Sequence, residues 1–139
     1  MTGVQTCALP IFKLLADKLV AATGGNLAHA GYAILWASAV LSAIVDNIPF
    51  VATMIPLIKS MGPSFGGPDA IRPLWWCLSL GACLGGNGTL IGASANLTVA
   101  GLAERGGVPF RFITYTLYAF PMMLVSIAIC HAYVWWRYF

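Results

Sequence analysis

Ser42-Ala43-Ile44-Val45-Asp46-Asn47-Ile48-Pro49-Phe50-Val51-Ala52-Thr53-Met54-Ile55-Pro56 is the stretch on which the fold turns. It lies inside a longer apolar run, Gly31 to Ser60, and interrupts it with a charge, an amide and a proline. As one straight helix that run would extend about 45 Å, well beyond a hydrocarbon core of about 30 Å. Pro49 cannot continue a helical hydrogen-bond ladder, and a charged Asp46 at the bilayer centre would cost at least about 2.5–3.5 kcal/mol. Split there, Gly31–Val45 measures about 22 Å and Phe50–Ser60 about 16 Å, so neither arm is expected to span alone. The expected structure is a re-entrant helical hairpin over residues 28–61 with Asp46 and Asn47 at its tip.

The residues outward from this point agree with a membrane setting. Of the 139 residues 60% are hydrophobic and 8% charged, and the mean hydropathy is +0.85. Soluble domains carry about a quarter charged residues, which excludes disorder, a nucleic-acid module and an ordinary cytosolic enzyme. The net charge of +3 comes from scattered Lys and Arg with no basic stripe, so no nucleic-acid partner is expected. Membrane lipid is.

Upstream, Met1–Ile11 reads as an adapter-derived leader (residues 1–11), since it lacks the basic region and cleavage site of a signal peptide. The natural chain is taken to start near Phe12 and to be truncated upstream. Phe12, Leu15 and Leu19 share one face of a short interfacial helix within residues 12–26, ended by Gly24, Gly25 and Asn26. With Cys7 set aside, Cys77, Cys83 and Cys130 lie in apolar runs and read as small core thiols. No Cys/His cluster suggests zinc, and no disulfide framework is expected.

Downstream of the hairpin comes a Gly- and Pro-rich loop, Gly62 to Pro73, with Trp75 and Trp76 at headgroup level. Leu74–Leu84 and Ala93–Ala103 then make two half-helices of about 16 Å each. Between them lies Gly85-Gly86-Asn87-Gly88-Thr89-Leu90-Ile91-Gly92, so residues 74–103 are expected to form one discontinuous transmembrane helix. Ile113 to Trp136, within residues 112–137, is long enough to span with some tilt, with Pro121 as a kink and Trp135, Trp136 and Tyr138 as anchors. The fold class is an all-α membrane protein with a re-entrant hairpin, one discontinuous helix and one full transmembrane helix.

Unpaired backbone survives at membrane depth only where protein encloses it or a polar cavity receives it. The tip and the broken helix are therefore expected to meet. Helix ends there offer N–H groups to anions and carbonyls to cations. Asp46 adds a full charge, and Asn47, Asn87, Thr89, Ser94 and Asn96 add oxygens and amides. That set suits a dehydrated Na⁺ or a transferable proton, with an anionic group held nearby. Plainer roles compete. Asp46 could cap the arm that begins at Phe50. Gly81-x-x-x-Gly85 and Gly88-x-x-x-Gly92 could be close-packing surfaces, and His29 and His131 read as interfacial. Gly86-Asn87-Gly88 followed by Gly92 lacks the strand and acidic residue of a dinucleotide fingerprint. The sequons at Asn87 and Asn96 lie at membrane depth. An intramembrane aspartyl protease would need a second Asp at depth, so that class fails; the chain is not expected to be an enzyme.

Two motifs carry a family resemblance: Ser42 to Pro56, and Gly81-Ala82-Cys83-Leu84-Gly85-Gly86-Asn87-Gly88-Thr89-Leu90-Ile91-Gly92-Ala93-Ser94-Ala95-Asn96. They resemble the hairpin tip and broken helix of the ion transporter superfamily, in its ArsB/NhaD, citrate-transporter-like permease branch, nearest to the group of the melanosomal P protein and its bacterial relatives. The likeness continues through Phe120–Ser126. It implies an ion-coupled secondary transporter built from inverted repeats, of which this chain is the C-terminal part of the second repeat. By position, Asp46 and Asn47 would be tip ligands, Gly86, Asn87, Gly88 and Thr89 the ion-binding linker, and Ser94 and Asn96 the start of the second half-helix. A Na⁺ would use Asp46, Asn47, Asn87 and Thr89; otherwise H⁺ is the coupling ion, and no other cofactor is implied. Dicarboxylate carriers of the superfamily have Ser-Asn-Thr at the tip, so Asp46-Asn47-Ile48 favours cation or proton coupling over a carboxylate substrate.

The resemblance further implies as partners the missing N-terminal repeat, a small inorganic or organic ion and a homodimeric second copy, in the bacterial inner membrane. A channel or passive pore and a purely structural membrane segment are the competing readings. Orientation stays open, because the positive-inside rule makes the face of Lys13, Lys18, Lys59, Arg72 and Arg137 cytoplasmic, whereas the carrier fold implies an outward-facing second hairpin.

Overall fold

The computed structural model describes residues 3–109 and 111–139, with side chains described from Lys13 onward. The first two residues of the 1–11 leader lie outside that range, as do the side chains of Cys7 and Phe12. Among the described residues the chain is all helical: α1 (Gly3–Ala22), α2 (Leu27–Ile44), α3 (Asn47–Met61), α4 (Arg72–Gly85), α5 (Ser94–Arg105) and α6 (Phe112–Tyr138). A short 3-10 helix, Gly62–Phe65, follows α3.

Helix α1 runs into the leader at Gly3, well ahead of the expected start at Phe12. It packs on α3 through Ala16, Leu19 and Val20, an i, i+3, i+4 set, while Leu15 is exposed. The contact face is therefore rotated from the expected Phe12–Leu15–Leu19 stripe. Gly24 and Gly25, at φ +63° and +69°, take the left-handed conformation that stops α1. Asn26 then caps α2, its Oδ1 accepting from the Ala28 N–H at 2.9 Å.

That cap starts α2 four residues ahead of the expected Gly31. At 18 residues it is about 27 Å long, close to the thickness of a hydrocarbon core. The first arm is thus longer than the sequence predicts. Among the described residues, it and α6 are the two helices long and apolar enough, by length and composition, to cross a membrane. The polar interruption itself falls where expected: Val45 is extended, and Asp46 is the N-cap of α3, its Oδ1 accepting from the Ile48 N–H at 3.1 Å. Pro49 sits in the first turn of α3, where its missing N–H costs nothing.

The tightest packing is α2 against α4. Ile34, Leu35, Ala39 and Ala43 of α2 and Leu74, Cys77, Leu78 and Ala82 of α4 form the buried core, which α6 joins through Met123, Ile127 and Val134. Small residues allow the approach. A Cβ at Gly81 would lie 2.5 Å from the Leu35 carbonyl oxygen and 2.9 Å from Ser38 Cβ, and one at Gly85 would collide with the backbone of Ala39. Close packing is thus what Gly81-x-x-x-Gly85 does.

The thiols divide. Cys77 is buried and Cys130 half-buried, but Cys83 is exposed, which corrects its reading as a core thiol. Cys83 follows Ala82 on the turn of α4 that faces α2, so its own side chain points away from that contact. In a Cys7→Ser background in detergent, a maleimide should modify Cys83 at least tenfold faster than Cys77, read by mass spectrometry. Equal rates would contradict the α2–α4 packing.

Candidate functional site

The break between α4 and α5 is held closed by hydrogen bonds to its neighbours. α4 ends with Gly86 as its cap, the Gly86 N–H reaching the Ala82 carbonyl at 3.2 Å and the Gly88 N–H the Gly85 carbonyl at 2.8 Å. The linker then folds onto the last turn of α2. Thr89, buried at 9% exposure, donates its hydroxyl to the Ala43 carbonyl and accepts the Gly92 N–H at 3.1 Å. One residue earlier on α2, Ser42 Oγ donates to the Ala82 carbonyl at 2.8 Å, tying α2 to the end of α4. Carbonyls at a helix C-terminus lack intrahelical donors, so Ala43 is satisfied by a hydroxyl 46 residues away.

Asn96, in the first turn of α5, closes the linker from the other side. Its Nδ2 donates to the carbonyls of Gly86 and Thr89, each at 3.0 Å. Two acceptor partners fix the amide orientation, because only the NH₂ end can donate twice. Glycine is needed where strands of the linker cross: a Cβ at Gly92 would lie 2.6 Å from the Gly86 carbonyl oxygen and 2.8 Å from that of Ser42. At Gly88 it would press on Met123 of α6 and Ala43 of α2, at 3.0 and 3.2 Å.

The sequence-derived candidates therefore separate into two groups. Gly86, Gly88, Thr89 and Asn96 come together with the end of α2. Asn87 is exposed and contributes its carbonyl, which accepts from the Tyr115 hydroxyl of α6 at 3.3 Å. Ser94 is exposed at the start of α5, where its carbonyl accepts from Thr98 Oγ1 at 3.1 Å. Asp46 and Asn47 are half-buried at the start of α3. Asp46 does the capping work described above. A cap occupies one carboxylate oxygen and leaves the other able to accept or to carry a proton.

Three participants escaped the sequence reading. Ser42 and the Ala43 carbonyl belong to the motif but bind the end of α4 and the linker, respectively, instead of standing at the tip. Tyr115 is one of many aromatics on α6. A signal existed only for Ser42: it recurs four residues after Ser38, opposite glycines four apart on α4. Ser38 itself is fully buried and its hydroxyl finds no partner among the described residues. Among the described residues no group of three or more His, Cys, Asp or Glu is placed to hold a metal.

Among the described residues, an all-helical chain with two apolar helices of near-membrane length and a linker sealed against one of them has the make-up of an integral membrane protein. Comparison with known proteins places it more closely. The family model for the citrate transporter family matches residues 2–81, more than half of the chain. The chain belongs to that family. An uncharacterized transporter of Mycobacterium tuberculosis is 45% identical over 125 residues, 90% of this chain and 29% of the relative. The human P protein is 48% identical over 103 residues, 73% of this chain and 12% of the relative. A transporter of Synechocystis, also uncharacterized, is 35% identical over an alignment that covers 90% of this chain and 31% of the relative. The chain thus spans less than a third of the length of these relatives. No solved structure matches it.

Proposed function

We propose that the full protein is an ion-coupled secondary active transporter, and that this chain supplies the C-terminal part of its second repeat. In this reading α2, the Val45–Asp46 connection and α3 form a re-entrant hairpin, and an ion or substrate binds between its tip and the Gly86–Ala93 linker. The observation that carries the proposal is the clamp of Thr89 on Ala43. It seats the linker on the last turn of α2, three residues before Asp46, which brings one polar interruption to the helix that leads into the other.

The charge distribution there favours a cation beside an anion-tolerant rim. The C-terminal carbonyls of α2 and α4 are the negative ends of their helices, and the Asp46 carboxylate strengthens them. The starts of α3 and α5, at Asn47 and Ser94, present the positive ends. Asp46, Asn47, Asn87 and Thr89 offer oxygen ligands to Na⁺, and protonation of Asp46 is the alternative coupling event. The family description supplies citrate as one substrate to test against other small inorganic and organic ions.

Asp46→Asn in the full-length protein is expected to abolish cation-dependent transport while membrane expression persists. A charged hydrogen-bonding partner is worth about 1.5–3 kcal/mol, so apparent cation affinity should fall by about 10- to 100-fold. Unchanged transport with intact cation dependence would remove Asp46 from the site. Counterflow in reconstituted vesicles distinguishes a carrier, which shows trans-stimulation, from a passive pore, which does not.

A further inference from the structure

At the end of α2 remote from the linker, an aromatic cluster joins α2 to α6. Tyr32 and Trp36 lie four residues apart on α2, and His131 lies opposite on α6. The Trp36 indole Nε1–H donates to His131 Nδ1 at 3.3 Å, across 95 residues of sequence. The His131 ring stacks on Tyr32, with centroids 4.2 Å apart and planes tilted by 35°. Phe139 closes the cluster edge-on to Tyr32 at 5.6 Å. Its ring lies 3.2 Å from where a Cβ on Gly31 would be, so glycine there gives it room.

The indole nitrogen is only a donor, so His131 Nδ1 must carry a lone pair, and a neutral ring then holds its one proton on Nε2. From these contacts we infer that His131 is a proton-operated latch between α2 and α6, independent of the ion site proposed above. A proton taken from water onto Nδ1 consumes the lone pair, and the Trp36 N–H then faces an N–H, so the bond breaks. The imidazolium is retained by the Tyr32 face, since a cation within about 6 Å of an aromatic centroid is attracted to it. The result is a changed partner, not an expelled side chain: Trp36 is released and α2 loses this hydrogen bond to α6.

Across the cluster, α2 presents Tyr32, and α4 presents Cys77, whose Sγ lies beside Gly31. On α6 itself Cys130 adjoins His131, and Arg137 lies over Tyr138 at 5.4 Å. Among the described residues no carboxylate pairs with His131; the ion pair formed is Asp69–Arg72, on the loop leading into α4.

The test is an ¹⁵N NMR titration of the full-length protein, labelled at Trp and His, in detergent micelles between about pH 5 and 8, the range in which histidine changes charge. The Trp36 indole signal, assigned by its loss in Trp36→Phe, should shift in a single step that coincides with protonation of His131. In His131→Gln, where the amide oxygen can still accept but not titrate in this range, that shift should vanish. Independently of any variant, the imidazole nitrogens of the unmodified chain at pH 8 should report the Nε2–H tautomer. A Trp36 signal that ignores pH, one that shifts equally in His131→Gln, or an Nδ1–H tautomer would each overturn the latch.

Discussion

Gly92→Ala is expected to destabilise the chain by about 1–3 kcal/mol and to abolish transport by the full-length protein. The added methyl would lie 2.6 Å from one carbonyl oxygen, that of Gly86, and 2.8 Å from another, that of Ser42. Both obstacles are backbone, so no side-chain rotation relieves them. The linker must lift off the end of α2, and the Thr89–Ala43 and Gly92–Thr89 hydrogen bonds go with it. Gly101→Ala is the matched control. It lies within α5 with nothing inside 4 Å of the new methyl, and alanine in a helix interior is favoured over glycine by about 0.5–1 kcal/mol. Unfolding in a mixed-micelle denaturant titration should move in opposite directions for the two variants. Equal stability of Gly92→Ala and the parent would refute the close approach.

Thr89→Val is expected to have the second large effect. Valine matches threonine in shape but neither donates nor accepts, so the Ala43 carbonyl and the Gly92 N–H both lose their partner in a buried position. An orphaned buried group costs about 1–3 kcal/mol, and here there are two. Thr89→Ser retains the hydroxyl and should recover most of the loss. The pair also separates clamping from ion binding. If Thr89 only holds the linker, cation-dependent thermal stabilisation of the full-length protein should survive in whatever fraction of Thr89→Val folds. If it is also a ligand, as proposed, that stabilisation should disappear in Thr89→Val and return in Thr89→Ser.

Much of the helical layout was legible one residue at a time. Asp46 and Pro49 mark the start of α3 because a capping carboxylate and a missing N–H both act within one turn. Gly85 to Gly92 mark the break between α4 and α5 because glycine and asparagine weaken a helix locally. The length of α6 follows from an apolar run that needs no partner to be recognised. The errors also have local causes. Asn26 as a cap extends α2 beyond the expected Gly31, and this single side-chain bond changes an arm too short to span into one of nearly membrane length. On α1, periodicity fits more than one stripe, and only the presence of α3 selects Ala16, Leu19 and Val20.

The candidate site was legible as composition, not as wiring. Thr89 and Asn96 stand out as polar residues among apolar ones, but nothing in their spacing says that one hydroxyl seals Ala43 or that one amide spans Gly86 and Thr89. Cys83 looks like Cys77 in sequence because both occupy apolar runs; which side of α4 faces α2 separates them.

The sequence by itself determined where the chain can be helical, where it must break, and that its polar residues gather at two interruptions in an apolar background. Those are local properties, set by proline, glycine, caps and the length of apolar runs. Only the tertiary structure decided which groups satisfy one another: Ser42 with Ala82, Thr89 with Ala43, Trp36 with His131, and the glycines of α4 with the backbone of α2. Each joins residues 40 or more positions apart or depends on one helix facing another. A buried donor must find an acceptor somewhere, but which one it finds is set by how the helices pack.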